Sequence, residues 1–284
     1  MNSSKRNQTA PSSSAEFLQE EGGRLRIALR VPASWQALDD RSLRVVLRFL
    51  ARYPAAEVKI RALVFFAGLQ VFRHSDTADG DTRWLIGNQK ARAYVATGKL
   101  AAASSALDWL LLPATPPVRP AYIEATRNPR RPCREARAVD AQLHGLPFGH
   151  YLQLDALYQS YLISRDPAPL RAMTPLLYPG ALPEQVSEEE LLGMFLWMSA
   201  AKHLFAQLFP HLFRPVLDSE AAPTITQETL RSQFDSQVRA LTDGDITREQ
   251  AVLEADTWRA LTELDAKARE AEQMRRQIEK QSRK

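Results

Sequence analysis

The chain has 284 residues, 45% hydrophobic and 25% charged, with a net charge of +4 and a pI of about 9.3. Its single cysteine, Cys133, excludes an internal disulfide framework and a cysteine-rich zinc site. Lys5 and Arg6 are followed by no apolar run, and Leu191 to Phe213 is interrupted by Lys202, Gln207 and Pro210, so neither a secretory signal nor a membrane span is expected. The expected setting is the cytoplasm.

Residues 1–23 are polar and Ser-rich and close on Gly22-Gly23, the composition of a disordered arm. Leu25, Ile27, Leu29 and Val31 alternate with Arg24, Arg26, Ala28 and Arg30, which predicts a half-buried strand with a basic face, stopped at Pro32. Asp39 or Asp40 can cap a short helix bearing Leu43, Val46, Leu47 and Leu50, interrupted at Tyr53-Pro54. A second helix is expected from about Ala55 to Phe72, then a polar loop over His74 to Asp81. Gly87-Asn88, between Trp84-Leu85-Ile86 and Ala91 to Ala96, has the chemistry of a two-residue hairpin turn, with basic groups such as Arg83 and Arg92 on the exposed face. A helix over Gly98 to Leu112 completes residues 24–112 as an α+β domain, with one small antiparallel sheet under three helices.

Six prolines from Pro113 to Pro132 mark residues 113–132 as a linker. Residues 133–225 then read as a helical domain. Phe148, Tyr151, Leu154, Leu157, Tyr158 and Tyr161 lie at helical spacing, and Asp166-Pro167 opens a further helix. Ser187 with Glu190 is a capping box before a helix apolar on nearly every side, which places that helix centrally. Residues 226–284 read as a helical hairpin with a basic tail. Leu230, Phe234, Val238 and Leu241 precede the turn Thr242-Asp243-Gly244-Asp245, and Thr247 with Gln250 predicts a capping box that opens one long second helix. The fold class expected is therefore α+β and predominantly helical, with a small N-terminal sheet and a helical C-terminal half ending in a hairpin.

Chemistry is sparse. The sequence contains no HExxH, GxSxG, GxGxxG or phosphate-loop pattern, so no catalytic residue, cofactor site or metal ligand is assigned, and an enzyme is not expected. His144 and His150, with Asp155 downstream, are the remaining metal or acid–base candidates, although loop histidines are ordinarily polar surface. Glu188-Glu189-Glu190 are accounted for by the helix dipole they face. Cys133 sits among Arg130, Arg131 and Arg134, and its ordinary reading is an incidental linker thiol. Arg127, Arg130, Arg131, Arg134 and Arg137 form the densest basic cluster, which can contact phosphates, and with the face of Arg24, Arg26 and Arg30 it supports a nucleic-acid-binding alternative. Trp258, Leu261, Leu264 and Ala268 make a narrow apolar seam on the last helix, suited to docking a protein partner.

The run from Leu241 to Gln250, the run from Asp256 to Glu272 and the segment Asp155 to Leu162 resemble uncharacterised proteins of prophage structural and assembly modules. Such modules encode tail-assembly chaperones and head–tail factors, several of them small helical proteins without enzymatic activity. The resemblance implies a non-enzymatic assembly or scaffolding role with phage structural proteins as partners, and it carries over no functional residue.

Overall fold

The computed structural model describes residues 15–17, 25–27, 31–76, 82–89, 92–111, 138–213 and 227–282. The fold is predominantly helical α+β, with a small antiparallel sheet in its first half and helices at its C-terminus. It divides into two compact units, Met1–Pro116 and Pro117–Lys284, so the division falls within the proline-rich stretch 113–132.

In the first unit, strands β1 (Ala15–Phe17) and β2 (Leu25–Ile27) pair antiparallel, with Ala15 opposite Ile27. Part of the stretch expected to be a disordered arm is therefore a strand. Helix α1 (Asp40–Arg52) is capped as the sequence predicts, Asp39 Oδ1 accepting from the Ser42 amide at 2.7 Å. Helix α2 (Ala55–Phe66) stops six residues before the expected Phe72. Gly68 takes φ of 70° and donates to the Phe65 carbonyl, the left-handed cap that glycine tolerates best.

The chain after that cap forms β3 (Gln70–Asp76), where a helix end and a polar loop were expected. It is one edge of a sheet of order β3-β4-β5, with β4 (Thr82–Gly87) and β5 (Arg92–Ala96). Gly87 pairs with Arg92, so residues 88–91 connect the hairpin, a longer connection than the two-residue turn expected. The third strand of this sheet is β3, whereas β2 belongs to a separate pair. Trp84, Ile86, Ala93 and Val95 turn inward and are buried, and the Trp84 indole donates to Thr97 Oγ1 at 3.0 Å. Helix α3 (Thr97–Ala103) and the 3₁₀ segment Ser104–Leu110 pack Leu100, Leu107 and Leu110 into the same core.

The second unit is built around α7 (Glu188–Leu208). Its capping box is present: Glu190 N donates to Ser187 Oγ, and Ser187 N donates to Glu190 Oε2 at 2.8 Å. Against it pack α4 (Phe148–Ser164), α5 (Ala168–Ala172), α6 (Thr174–Leu177) and α10 (Thr257–Ser282), while α8 (Gln227–Thr242) and α9 (Glu249–Glu254) pack on α4 and on each other. Phe148, Leu154, Met194, Trp197 and Phe205 are fully buried, and Val238, Leu261 and Leu264 join the same core. The described residues of 133–225 and 226–284, expected as separate domains, thus contribute to one hydrophobic cluster. Among the described residues no helix is long and apolar enough to cross a membrane.

Two local expectations at the hairpin are corrected. Thr247 does not cap a helix through Gln250. Asp245 Oδ1 instead accepts from the Thr247 amide at 3.0 Å and hydroxyl at 2.6 Å, and Gln250 turns to Glu254. The single long helix expected after Gly244 is also broken, into α9 and α10, at Ala255-Asp256. The break contains neither Gly nor Pro, and it coincides with a long-range pairing of Asp256 with Pro147.

Candidate functional site

Residues 138–147 run as a strap across three helices of the second unit. Local bonds to Asp140 and Leu143 satisfy part of its backbone, and distant partners satisfy much of the rest. The Val139 amide donates to the Leu177 carbonyl at 2.9 Å, and the Trp197 indole donates to the Ala141 carbonyl at 2.7 Å. The next carbonyl, that of Gln142, accepts from the Trp258 indole, also at 2.7 Å. Pro147 then forms an antiparallel bridge with Asp256. Thr257 donates to the Leu146 carbonyl from its amide at 3.0 Å and its hydroxyl at 2.7 Å, while the Phe148 amide donates to the Ala255 carbonyl at 2.8 Å.

Asp256 closes this clasp. Its Oδ2 accepts from the Gly145 amide at 2.7 Å, and its Oδ1 accepts from the Trp258 amide at 2.9 Å at the start of α10. One carboxylate therefore caps a helix and holds the strap, and charged acceptors make the stronger hydrogen bonds. At Gly149 a Cβ would lie 3.4 Å from Leu253, which shows how closely α4 and α9 approach.

The predicted docking seam is absorbed into this architecture. Trp258 is half-buried, stacks on His144 with centroids 4.3 Å apart, and meets Phe205 and Phe209 edge-on at 5.6 and 5.9 Å. Leu261 and Leu264 are buried and Ala268 is half-buried. Burial of a leucine side chain contributes about 1.5–3 kcal/mol to the fold. Trp258, Leu261, Leu264 and Ala268 thus hold α10 to its own chain, with Leu261 and Leu264 fully taken up by it.

Further along α10 the anchoring continues and then ends. Asp265 Oδ1 accepts from the His211 and Leu212 amides at 2.7 and 3.0 Å. Lys267 donates to the Ala240 carbonyl at 2.7 Å and forms an ion pair with Asp243, in the turn after α8. The hydrogen bond from Lys267, and then its charge, hold the Asp243 carboxyl below its ordinary range. Asp243 and Gly244 both take positive φ, of 53° and 83°, as the turn demands. Glu272 faces His211 Nδ1 at 3.4 Å. From 273 to 282 every residue is exposed, with Met274 at 64% and Ile278 at 59%. The two lie four residues apart on one helical face.

The histidine candidates do not form a three-residue centre. His144, His150 and Asp140 line a depression of about 450 Å³, but Asp155 lies elsewhere, paired with Lys202 of α7. Among the described residues no group of three or more His, Cys, Asp and Glu is placed to hold a metal. His203 is exposed and joined to Gln207 at 3.0 Å. Arg127, Arg130, Arg131, Arg134, Arg137 and Cys133 lie outside the described residues, as do Arg24 and Arg30. A second depression, of about 540 Å³, lies beside Leu241, Val252 and Trp258 and is an open surface feature of the clasp.

No protein-family model matches the chain, and no curated protein or solved structure is significantly similar to it.

Proposed function

We propose that this chain is a non-enzymatic assembly protein of a phage-derived module, acting in the cytoplasm, that docks protein partners on the distal part of α10. The observation that carries the reading is the contrast along one helix. Residues 257–272 are tied to the body through Trp258, Asp265, Lys267 and Glu272, whereas residues 273–282 are exposed throughout.

An isolated ten-residue helix is marginal in water because its first turn is costly to nucleate. Here the first half of α10 supplies the nucleus, and the last ten residues extend it by about 15 Å. The result is a preorganised helical arm with Met274 and Ile278 on one face, the form in which an amphipathic helix enters a partner's groove. Methionine adapts to irregular apolar surfaces, which suits a contact surface. The resemblance of residues 241–250 and 256–272 to prophage assembly modules supports structural proteins of such a module as the partners.

The test is affinity capture of the full chain beside a chain ending at Glu272. Truncation after Gly244 would not serve, because it removes Leu261 and Leu264 from the core. Loss of identified phage structural proteins from the shortened chain is expected, and their undiminished retention overturns the proposal.

A further inference from the structure

The outer face of the three-stranded sheet in the first unit combines arginines with exposed rings. Trp84, Ile86, Ala93 and Val95 occupy the inner face, so alternation turns Arg83, Leu85, Arg92 and Tyr94 outward. The register sets Arg73 opposite Leu85, and Leu85 opposite Tyr94, which forms one row across all three strands. Arg73, Arg83 and Arg92 are exposed, Tyr94 is 52% exposed and Phe72 is 38% exposed. None of these outward positions carries a carboxylate.

A detail of the register shapes this face further. Phe72 sits at the irregularity between Val71 and Arg73 on β3, and Arg92 lies on the opposite edge strand, β5. Between them, on β4, the residue paired with Arg92 is Gly87. With no side chain in its way, the Arg92 guanidinium crosses the central strand and lies 3.9 Å over the Phe72 ring. The face therefore offers a tyrosine ring and a guanidinium–phenyl stack as two flat surfaces, with the Arg73 guanidinium beside them.

We infer that this face binds single-stranded nucleic acid. Its arginines neutralise phosphates, and Tyr94 and the Arg92–Phe72 pair stack on unpaired bases. Duplex bases are already stacked on one another and present no plane to Tyr94. An acidic polypeptide would meet the arginines but leave the rings without a matching surface. The inference is independent of partner docking on α10.

The experiment is fluorescence anisotropy of the full chain with labelled oligo(dT) and oligo(U), the matching duplex, and heparin as a polyanion without bases. Preferential binding of the single strands is expected, and log K should fall with log salt at a slope of about −1.4, from roughly −0.7 for each of the two phosphates met by Arg73 and Arg92. Tyr94→Ala should weaken single-strand binding about tenfold while Tyr94→Phe preserves it, and Arg73→Ala or Arg92→Ala should each reduce the slope by about 0.7. Unchanged circular dichroism certifies the folding of each variant. Several results overturn the inference: no binding at low salt, equal affinity for heparin and duplex, or affinity indifferent to Tyr94→Ala. Loss of binding only on substitution of Arg127, Arg130 and Arg131 also overturns it, and so does Tyr94-dependent capture of a protein without oligonucleotide binding.

Discussion

The Trp258 indole donates to the Gln142 carbonyl at 2.7 Å while its ring lies against His144, 4.3 Å between centroids. A residue that looks from its spacing like an external anchor is thereby an internal one, joining α10 to the strap over α7. Trp258→Ala removes the hydrogen bond, the stack and the contacts with Phe205 and Phe209. We expect a loss of about 3 kcal/mol in urea denaturation, at the lower end for a tryptophan truncation because the ring is only half-buried. Trp258→Phe keeps the ring and should lose about 1 kcal/mol, the usual net value of one hydrogen bond. Equal losses for the two variants would contradict this assignment.

Asp256 joins two distant pieces of chain, through Gly145 on one oxygen and the start of α10 on the other. Asp256→Ala should cost about 1–2 kcal/mol, combining a lost helix cap with a lost hydrogen bond from the exposed Gly145 amide, which water can then satisfy. Hydrogen exchange should quicken at Gly145 and Trp258 together. Exchange that quickens at Trp258 alone would show that the strap does not depend on this carboxylate.

Acid should loosen the turn between α8 and α9. The Asp243 carboxyl is lowered by its hydrogen bond and ion pair with Lys267, and Asp245 is lowered by its hydrogen bonds to Thr247. A carboxyl lowered in the folded state contributes stability above its unfolded value of 3.8, and that contribution is lost as pH falls through the still lower folded value. The contribution is therefore intact at neutral pH. Carboxyl carbon NMR titration should place both midpoints below 3.8, and Lys267→Met should return Asp243 toward it without moving Asp245. Both carboxyls shifting in that variant would contradict the separate causes.

What was legible in the sequence was local. The Ser187 capping box, the Asp39 cap, the Tyr53-Pro54 interruption and the hairpin near Gly87 with Arg83 and Arg92 exposed each depend on residues near in the chain. Gly68 carried a readable signal for the end of α2, since glycine favours the left-handed cap found there, but the apolar run through Leu69 and Phe72 masked it. The break at Ala255-Asp256 carried one local signal, the capping residue Asp256, but what holds it is the pairing with Leu146 and Pro147 more than a hundred residues earlier. The candidate docking site moved for the same reason. Helical spacing identifies an apolar seam at Trp258, Leu261 and Leu264, but only the tertiary structure reveals that their own chain fills it.

The two halves of α10 should respond oppositely to substitution. Leu261→Ala opens a cavity in the core and should cost about 2–5 kcal/mol. Met274→Ala and Ile278→Ala, at exposed positions, should leave stability within about 0.5 kcal/mol by thermal denaturation. A large destabilisation from either distal substitution would place that residue in the folded body.

The most direct measurement of the central claim is capture of identified phage structural proteins by the full chain, by the chain ending at Glu272, and by Met274→Glu with Ile278→Glu. Binding by the full chain alone, with all three proteins equally folded, is the result predicted. Retention of the same partners by all three contradicts a docking role for the distal end of α10.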